Sequence, residues 1–190
     1  HSYGQVAHFD LDTKIKPSDL CNAINSNTSQ DCKIMSIKQV DSDFESRFDA
    51  IRRRYRYQVY TGSSLLYRNQ AWLINDIDIN ILKELSEMII GEYDFLSFSK
   101  YRPEQKNTKS IVYESVWKKN DEMLTYDISG NRFLHHMVRY LAGTMVQVSR
   151  GRYTKAKFSS LLHEPRKNVQ IHRAPANGLI LLKVEYDKYQ

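Results

Sequence analysis

The residues best suited to take part in chemistry lie in one stretch, GNRFLHHMVRYLAGTMVQV, which covers residues 130–148. Arg132, His136 and Arg139 recur there at positions i, i+4 and i+7, so a helix would place them in one basic stripe. A guanidinium held beside a buried face needs an anion, which makes Arg139 a candidate for charge-based chemistry. The alternative is a solvated arginine whose stem lies along the edge of the core.

The apolar residues of this stretch recur at spacings of three and four, the period of a helix with one buried face. They are Phe133, Leu134, Met137, Val138, Leu141, Met145 and Val148. Asn131 is the expected N-cap, because its side chain can accept a hydrogen bond from a free backbone amide. Gly151 is the expected end of the helix. The pattern therefore predicts a core helix that carries Arg139.

A second basic segment, IRRRYRYQVY, is predicted to lie within a strand over residues 44–62. Alternation divides its side chains between two faces. One face carries Arg53, Tyr55, Tyr57 and Val59, and the other carries Arg52, Arg54, Arg56 and Gln58. Interleaved cations and rings suit an unstacked base with its phosphates. The alternative is an edge strand whose arginines deter aggregation.

The positive charge of the chain is concentrated in one region. The whole chain has 28 Lys and Arg against 22 Asp and Glu, a net charge of +6. Residues 130–173 contain nine Lys or Arg and one acid, Glu164, a local net charge of +8, so the remainder is slightly acidic. This distribution predicts a polyanionic partner.

Several kinds of chemistry are weakened by the sequence. His135 and His136 would diverge by about 100° on a helix, so they would not chelate one metal together. Cys21 and Cys32 have no ligand spacing, which argues against zinc and disulfides and indicates a reducing, cytosolic setting. Phosphate-loop, dinucleotide-binding and serine-hydrolase motifs do not occur. We expect no metal, no cofactor and, since no apolar run approaches ~20 residues, no membrane span.

The remaining patterns mix strands with helices. Strands are predicted at residues 3–11 and 32–40, a hairpin around Asn120 and Asp121, and a final strand within residues 174–186. Helices are predicted at residues 17–25, from Asn80 to about residue 91, and after a Thr154 cap. This order predicts an α+β fold with a mixed or antiparallel sheet and helices on one face. The acidic segment 41–45, which ends the preceding strand pattern, suggests a division into residues 1–43 and 44–190.

Three stretches together resemble the TruA-type tRNA pseudouridine synthases. HSYGQVAHFD resembles the segment following the family's R-T-D-A-G-V-H-A-x-G-Q-V loop, and FESRFDAIRRRYRY resembles F-x-A-R-F-x-A-x-x-R-x-Y-x-Y. Residues 130–148 resemble A-x-x-F-x-H-H-M-V-R-x-x-x-G. YDFLSFSK and ANGLILLKVEY match two weaker signatures, although Tyr93 replaces the usual His of the first. The resemblance covers essentially the whole chain.

The resemblance implies a ferredoxin-like fold and a cytoplasmic, homodimeric enzyme that isomerises uridine to pseudouridine in the anticodon arm of tRNA without metal or cofactor. In the family an aspartate attacks the target nucleotide, the glycosidic bond breaks and the base is rejoined through carbon five. That aspartate precedes the loop histidine, which is His1 here, so this chain is expected to lack it and to be inactive alone. Residues 1–43 would be the remnant of the N-terminal half-domain, and residues 44–190 a C-terminal half-domain with RNA-binding and dimerisation surfaces.

The resemblance also implies which side chains form the site. Arg139 would be the basic partner of the aspartate and Tyr55 the ring that packs on the flipped uracil, so these two are the predicted catalytic residues. Tyr55 would also bind substrate, together with four other residues. These are the loop histidine His1, the arginine linked to base flipping, Arg47, the apolar pocket floor, Leu179, and a neighbouring strand arginine, Arg53. Two other functions stay open, a non-catalytic RNA-binding module and a structural ribosome-associated protein.

Overall fold

The computed structural model describes residues 1–189, which form four α-helices and six strands. The helices are α1 (Pro17–Asn27), α2 (Ile79–Glu87), α3 (Met137–Ser149) and α4 (Lys155–His163). The strands are β1 (Ala50–Tyr60), β2 (Trp72–Leu73), β3 (Gly91–Asp94), β4 (Lys109–Asn120), β5 (Met123–Gly130) and β6 (Leu179–Tyr186). Short 3-10 turns occur at Leu96–Phe98 and Ala176–Gly178. The predicted α+β class is confirmed.

β1 is the strand around which the sheet is arranged. β5 pairs antiparallel with one edge of β1, and β4 and β3 continue the sheet beyond β5. The other edge is shared by antiparallel β6, where Leu179 lies opposite Tyr57, and parallel β2, where Trp72 lies opposite Val59. The sheet is therefore mixed, and the start of β6 adjoins β2 near the C-terminal end of β1.

The core lies between the sheet and helices α2, α3 and α4. α3 has 13 residues and buries ten of them, more than a single amphipathic face would cover. α2 packs against α3 and β4, and α4 packs against α3 and β3. Trp117 of β4 stacks on Tyr126 of β5 with ring centroids 4.9 Å apart, and its Nε1 donates to Sδ of Met145 in α3. These large buried side chains fix α3 against the sheet.

Several predicted elements are confirmed. α1, the β4–β5 hairpin, α4 and β6 occur where the sequence patterns place them, and β1 occupies the middle of its predicted range. Thr154 caps α4, and Gly151, with φ of +71°, follows the end of α3. The cap of α2 is Asp78 rather than Asn80, because the Asp78 carboxylate accepts a hydrogen bond from the N–H of Asn80 at 2.8 Å.

The helix predicted over residues 130–148 begins too early. β5 continues to residue 130, and α3 begins only at residue 137. Asn131, the expected N-cap, bonds to the sheet instead: its N–H donates to O of Ile111 at 3.0 Å, and its Oδ1 accepts from the N–H of Ile111 at 2.9 Å. His136 then turns the chain with φ of +65°. The predicted stripe of Arg132, His136 and Arg139 on one helix is therefore wrong, and only Arg139 belongs to α3.

The strands predicted at residues 3–11 and 32–40 are also wrong. Residues 1–49 contain one helix, α1, and one isolated bridge, between Ser2 and Leu181. Alternating side chains favour an extended backbone, but a strand also needs a neighbour for its amides and carbonyls. Beyond that bridge, the described chain supplies no such neighbour to either segment. The division at residues 43 and 44 stays a prediction.

The longest described helix, α3, has 13 residues. Between residues 1 and 189, no helix combines the length and the apolar character that crossing a membrane requires.

Candidate active site

Tyr55 is half-buried on the face of β1 that also carries the core residues Tyr57 and Val59. Its ring meets Phe133 edge to face, with centroids 5.2 Å apart and planes at 81°. Burial raises the pKa of the Tyr55 hydroxyl, so the side chain stays neutral. A neutral ring fixed from one side is suited to pack against another planar group.

Arg53, two residues before Tyr55, is held by backbone carbonyls. Its Nη1 donates to O of Ala50 at 2.6 Å and to O of Asn131 at 2.5 Å, and its Nη2 donates to O of Arg47. Burial is the main cause that lowers the pKa of this guanidinium. Arg53 thus ties the start of β1 to the turn after β5, directly beside Tyr55.

Arg139 lies in the first turn of α3 and is anchored to the segment before β6. Its Nε donates to O of Ala174 at 2.7 Å, and the N–H of Ala174 donates to O of Arg139 at 3.0 Å. Gly143 permits this approach, because a Cβ at that position would stand 2.7 Å from N of Ala174 and closer still to O of His172. Burial, and then the charge of Arg173, lower the pKa of the Arg139 guanidinium. The result is an oriented cation.

Arg139 has no acidic partner in the part of the chain that the structure describes. The ion pairs found there involve other cations. The hydrogen bond of the Arg139 side chain uses Nε alone, which leaves both Nη groups for an anion.

Tyr57 links Arg139 to two other predicted site residues. The Tyr57 hydroxyl donates to O of Pro175 at 2.7 Å, one residue after the carbonyl that binds Arg139. Leu179 lies opposite Tyr57 in the sheet, and O of Leu179 lies 3.3 Å from the backbone nitrogen of His1. Burial raises the pKa of the Tyr57 hydroxyl, and the nearby charge of Arg139 opposes that effect. The structure therefore groups Arg139, Leu179 and His1 around Tyr57.

Arg47 stands farther out than the other predicted residues. It is exposed just before β1, with its guanidinium 5.5 Å from the ring centroid of Phe48. Its carbonyl is bound by Arg53, which connects its backbone to the surroundings of Tyr55.

On the opposite face of β1, two of the three arginines form ion pairs with acidic side chains. Nε and Nη2 of Arg56 donate to the two carboxylate oxygens of Asp127 at 2.6 and 2.8 Å. Arg54 pairs with Glu114 at 3.2 Å and with Glu185 at 3.1 Å. Arg52, the third arginine of this face, lies over the ring of Tyr113, 4.6 Å from its centroid. Arg54 and Arg56 are thus paired with acids and offer no uncompensated charge to a nucleic acid.

Comparison with known proteins identifies the family. Residues 85–187 match the family model described as tRNA pseudouridine synthase. A tRNA pseudouridine synthase A from Exiguobacterium sibiricum is 32% identical over 187 residues, which cover 98% of this chain and 75% of that protein. The chain belongs to the tRNA pseudouridine synthase family. Proteins of the same name from Bacillus licheniformis and Roseiflexus sp. are 32% and 33% identical, and the matches cover 98% of this chain and 77% and 71% of those proteins. The family resemblance in the sequence is confirmed, and the family is one of isomerases.

Several residues that shape the site of this member of the tRNA pseudouridine synthase family were not predicted from the sequence. Gly143 carried a signal, since a glycine inside a buried helix is unfavourable unless another segment approaches closely. Asn177 carried none, although its Nδ2 donates to O of Arg68 at 2.8 Å and to O of Ala71 at 2.9 Å. These bonds tie the loop before β2 to the segment before β6. The contact of Tyr57 with that segment was missed as well.

The predicted divergence of the paired histidines is wrong, because neither residue lies on a helix. His135 and His136 precede α3, and their rings stack with centroids 3.8 Å apart instead of diverging. Burial lowers the pKa of both imidazoles, for His136 to about 4. Across residues 1–189, no three His, Cys, Asp or Glu side chains are grouped as a metal ion would require.

Proposed function

We propose that this protein isomerises uridine to pseudouridine in the anticodon arm of tRNA. The reaction exchanges the bond between the ribose and N1 of uracil for a bond to carbon five. The hydrogen of carbon five passes to solvent as a proton, and N1 takes up a proton in its place. It needs no oxidant or reductant. The observation that carries the proposal is the oriented guanidinium of Arg139, which lies beside Tyr57 and Leu179 and whose two Nη groups have no hydrogen-bond partner among residues 1–189. The names of the relatives, tRNA pseudouridine synthase A, support the choice of substrate.

In this proposal Arg139 pairs with the nucleophilic aspartate. A carboxylate in a largely dry pocket tends to take up a proton, and an adjacent guanidinium keeps it ionised. No carboxylate of residues 1–189 lies in ion-pair distance of Arg139, so we assign the nucleophile to a segment outside these residues. Residues 1–190 alone would then be inactive.

Tyr55 supplies the surface on which the flipped uracil packs. A base removed from its stack needs a replacement π-surface, and the Tyr55 ring is neutral and fixed by Phe133. Leu179 forms the apolar floor, and His1 lies next to Leu179. Arg47, exposed at the edge, assists base flipping, and Arg53 holds the backbone around Tyr55 while adding positive charge.

Tritium release from tRNA labelled at carbon five of uracil tests the proposal. We expect the protein at its full cellular length to release tritium and Arg139→Ala to abolish release. Arg139→Lys should keep only a small fraction, because lysine retains the charge but cannot reproduce the anchored fork. Lys119→Gln, at an exposed position on the far end of β4, is the charge-matched control and should behave as wild type. Normal release by a folded Arg139→Ala protein would overturn the assignment.

The second candidate is a non-catalytic RNA-binding module. The lack of a carboxylate beside Arg139 in the described chain favours it, since the cationic site would then serve binding alone. Binding of an anticodon stem-loop by the full-length protein without any tritium release would support this alternative and contradict the enzyme.

We further propose a cytoplasmic homodimer with a ferredoxin-like arrangement of sheet and helices, and a division of the chain at residues 43 and 44. Light scattering tests the dimer, because one chain of these residues has a mass of 22.4 kDa and the dimer twice that. Limited proteolysis tests the division, since cleavage should concentrate near residues 41–45. A monomer at micromolar concentration would contradict the dimer.

A further inference from the structure

A cluster of positive charge surrounds the stacked histidines in front of α3. Its four members come from three segments, the loop after residue 98, α3 and the segment before β6: Lys100, Arg102, Arg139 and Arg173. We call these four residues the cation ring. The backbone N–H of Lys100 donates to O of His135 at 2.9 Å, and Nη2 of Arg102 lies 3.3 Å from Nδ1 of His135. The charges of all four side chains therefore act on the imidazole of His135.

The cation ring has no counter-charge in the described part of the chain. Ion pairs there engage a different set of cations: Arg54, Arg56, Lys109, Lys118, Lys155, Arg166, Lys183 and Lys188. Lys100, Arg102 and Arg173 are exposed, so a ligand can reach them. Four like charges at one place repel one another, and an anion would relieve that repulsion.

The histidines between these cations are in a form that accommodates an anion. A guanidinium can only donate hydrogen bonds, so Nδ1 of His135 accepts from Arg102 and its proton resides on Nε2. His135 is therefore neutral and offers one N–H donor. Burial, and then the charged groups nearby, lower the pKa of both histidines.

The start of α3 adds to the same field. This helix has 13 residues, no acidic residue in its first turn and no capping side chain. The N–H of Met137 already donates to O of Leu134 at 3.0 Å, so it is the dipole of the helix that places partial positive charge next to His136. A helix start of this kind stabilises a phosphate when cationic side chains are present beside it.

We propose that the cation ring binds a phosphodiester group of the RNA backbone next to the target nucleotide, with Lys100, Arg102 and Arg173 as positioning residues outside the catalytic pocket. This inference rests on the proposed function for the identity of the RNA. Arg139 connects the catalytic pocket with the cation ring. Its side chain is anchored at Ala174, and Arg173 of the ring is the residue before Ala174. A phosphate bound here would fix the backbone adjacent to Arg139 before the base is flipped.

Single phosphate neutralisation in a synthetic anticodon stem-loop tests the proposal. One methylphosphonate at a time replaces a phosphodiester and removes its charge. The protein variants are Arg173→Gln and Arg102→Gln, with Lys119→Gln as charge-matched control. We expect each ring variant to weaken binding about 10-fold and to lower the salt slope of log K by about one. At one or two adjacent phosphates, the methylphosphonate should weaken binding by the ring variants less than it weakens binding by wild type, because each variant has already lost one of the cations that contact that phosphate.

Two results would overturn the cation ring. One is an additive loss at every phosphate, and the other is a loss in Lys119→Gln equal to that of the ring variants. Tritium release by the wild-type protein from labelled tRNA separates this inference from the proposed function. A methylphosphonate effect that is smaller in the ring variants than in wild type at one phosphate, without any tritium release, contradicts the isomerase but supports the ring. Tritium release with equal methylphosphonate effects in all proteins supports the isomerase and contradicts the ring. Thermal melts verify that the exposed substitutions leave the fold intact.

Discussion

The two faces of β1 carry the same kind of side chain in opposite circumstances. On one face, Arg54 and Arg56 form ion pairs with carboxylates of neighbouring strands. On the other, Arg53 is held by carbonyls beside the Tyr55 ring, with no carboxylate in ion-pair distance among the described residues. We call these the paired face and the open face. Only the open face adjoins Arg139 through Tyr57.

The register of the neighbouring strands produces this difference. Arg56 lies directly opposite Asp127 of β5, and directly opposed residues contact each other across a sheet. On the open face, Tyr55 lies opposite Ile128 of β5 and Leu181 of β6, which supply no charge. The arginine content of a strand therefore does not identify a nucleic-acid surface. The residues that the register places opposite each arginine decide whether its charge remains available.

Among substitutions in β1, the largest expected effect is on the open face, at Tyr55. We expect Tyr55→Ala to reduce turnover about 100-fold or more, because stacking contributes ~1–3 kcal/mol per base and its loss also misplaces the uracil. Tyr55→Phe should stay within about 3-fold of wild type, since it keeps the ring and the hydroxyl is not ionised. Single-turnover tritium release measures both.

The matched experiment on stability separates a lost ring from a damaged fold. Tyr55 packs on Phe133, so Tyr55→Ala should also lower the free energy of unfolding by about 1–3 kcal/mol. Turnover is therefore compared at a temperature at which melts show both variants folded. Equal activity of the Ala and Phe variants would remove the ring from the site.

The next largest effect concerns the anchor of Arg139. Gly143→Ala puts a Cβ 2.7 Å from N of Ala174, which pushes that segment away from α3. We expect turnover to fall about 10-fold and the free energy of unfolding to fall by about 1–2 kcal/mol, since the overlap outweighs the ~1 kcal/mol that alanine adds to helix stability. Ala142→Gly is the control, because it destabilises α3 without touching Ala174. If both variants lose turnover equally, the close approach does not position Arg139.

The sequence predicted the elements whose signals are local and missed those that depend on distant partners. The Thr154 cap and the β4–β5 hairpin are confirmed because a hydroxyl near free amides and a polar two-residue turn act within a few residues. The start of α3 was wrong because Asn131 is captured by Ile111, 20 residues away in the chain. The pairing of Arg56 with Asp127 depends on strand register in the same way. Tyr55 and Arg139 could be selected as candidates, but their anchors at Phe133 and Ala174 could not.

A smaller effect is expected from the histidine nearest to Arg139. Burial, and then the charges around it, lower the pKa of His136 from 6.5 to about 4. The charged or titratable groups that face it are His135, Arg173, Arg139 and Lys100. Below pH 6.5 His136 becomes protonated in the unfolded chain but stays neutral in the folded chain. The folded state therefore loses stability as the pH falls from about 6.5 to about 4. Because His136 is partly exposed, we expect a loss of about 1 kcal/mol.

Urea unfolding at pH 7 and pH 5 measures this pH dependence. His136→Asn is the matched variant, since asparagine tolerates the positive φ of +65° at this position and does not titrate. We expect the difference between the two pH values to be smaller in the variant. The same pH dependence in both proteins would show that His136 is as easily protonated when folded as when unfolded.

The smallest expected effect is on the paired face, and it is the sharpest test of the comparison. Arg56→Gln removes the same charge as Arg173→Gln, yet the salt slope of stem-loop binding should not change, because the Arg56 charge is already met by Asp127. A double-mutant cycle with Asp127→Asn should give a coupling of about 0.5–1 kcal/mol in unfolding, since the pair is bidentate but partly exposed. A fall of about one in the salt slope for Arg56→Gln would mean that Asp127 releases Arg56 to the RNA. The two faces of β1 would then differ in the unbound protein only, and both would contact the substrate.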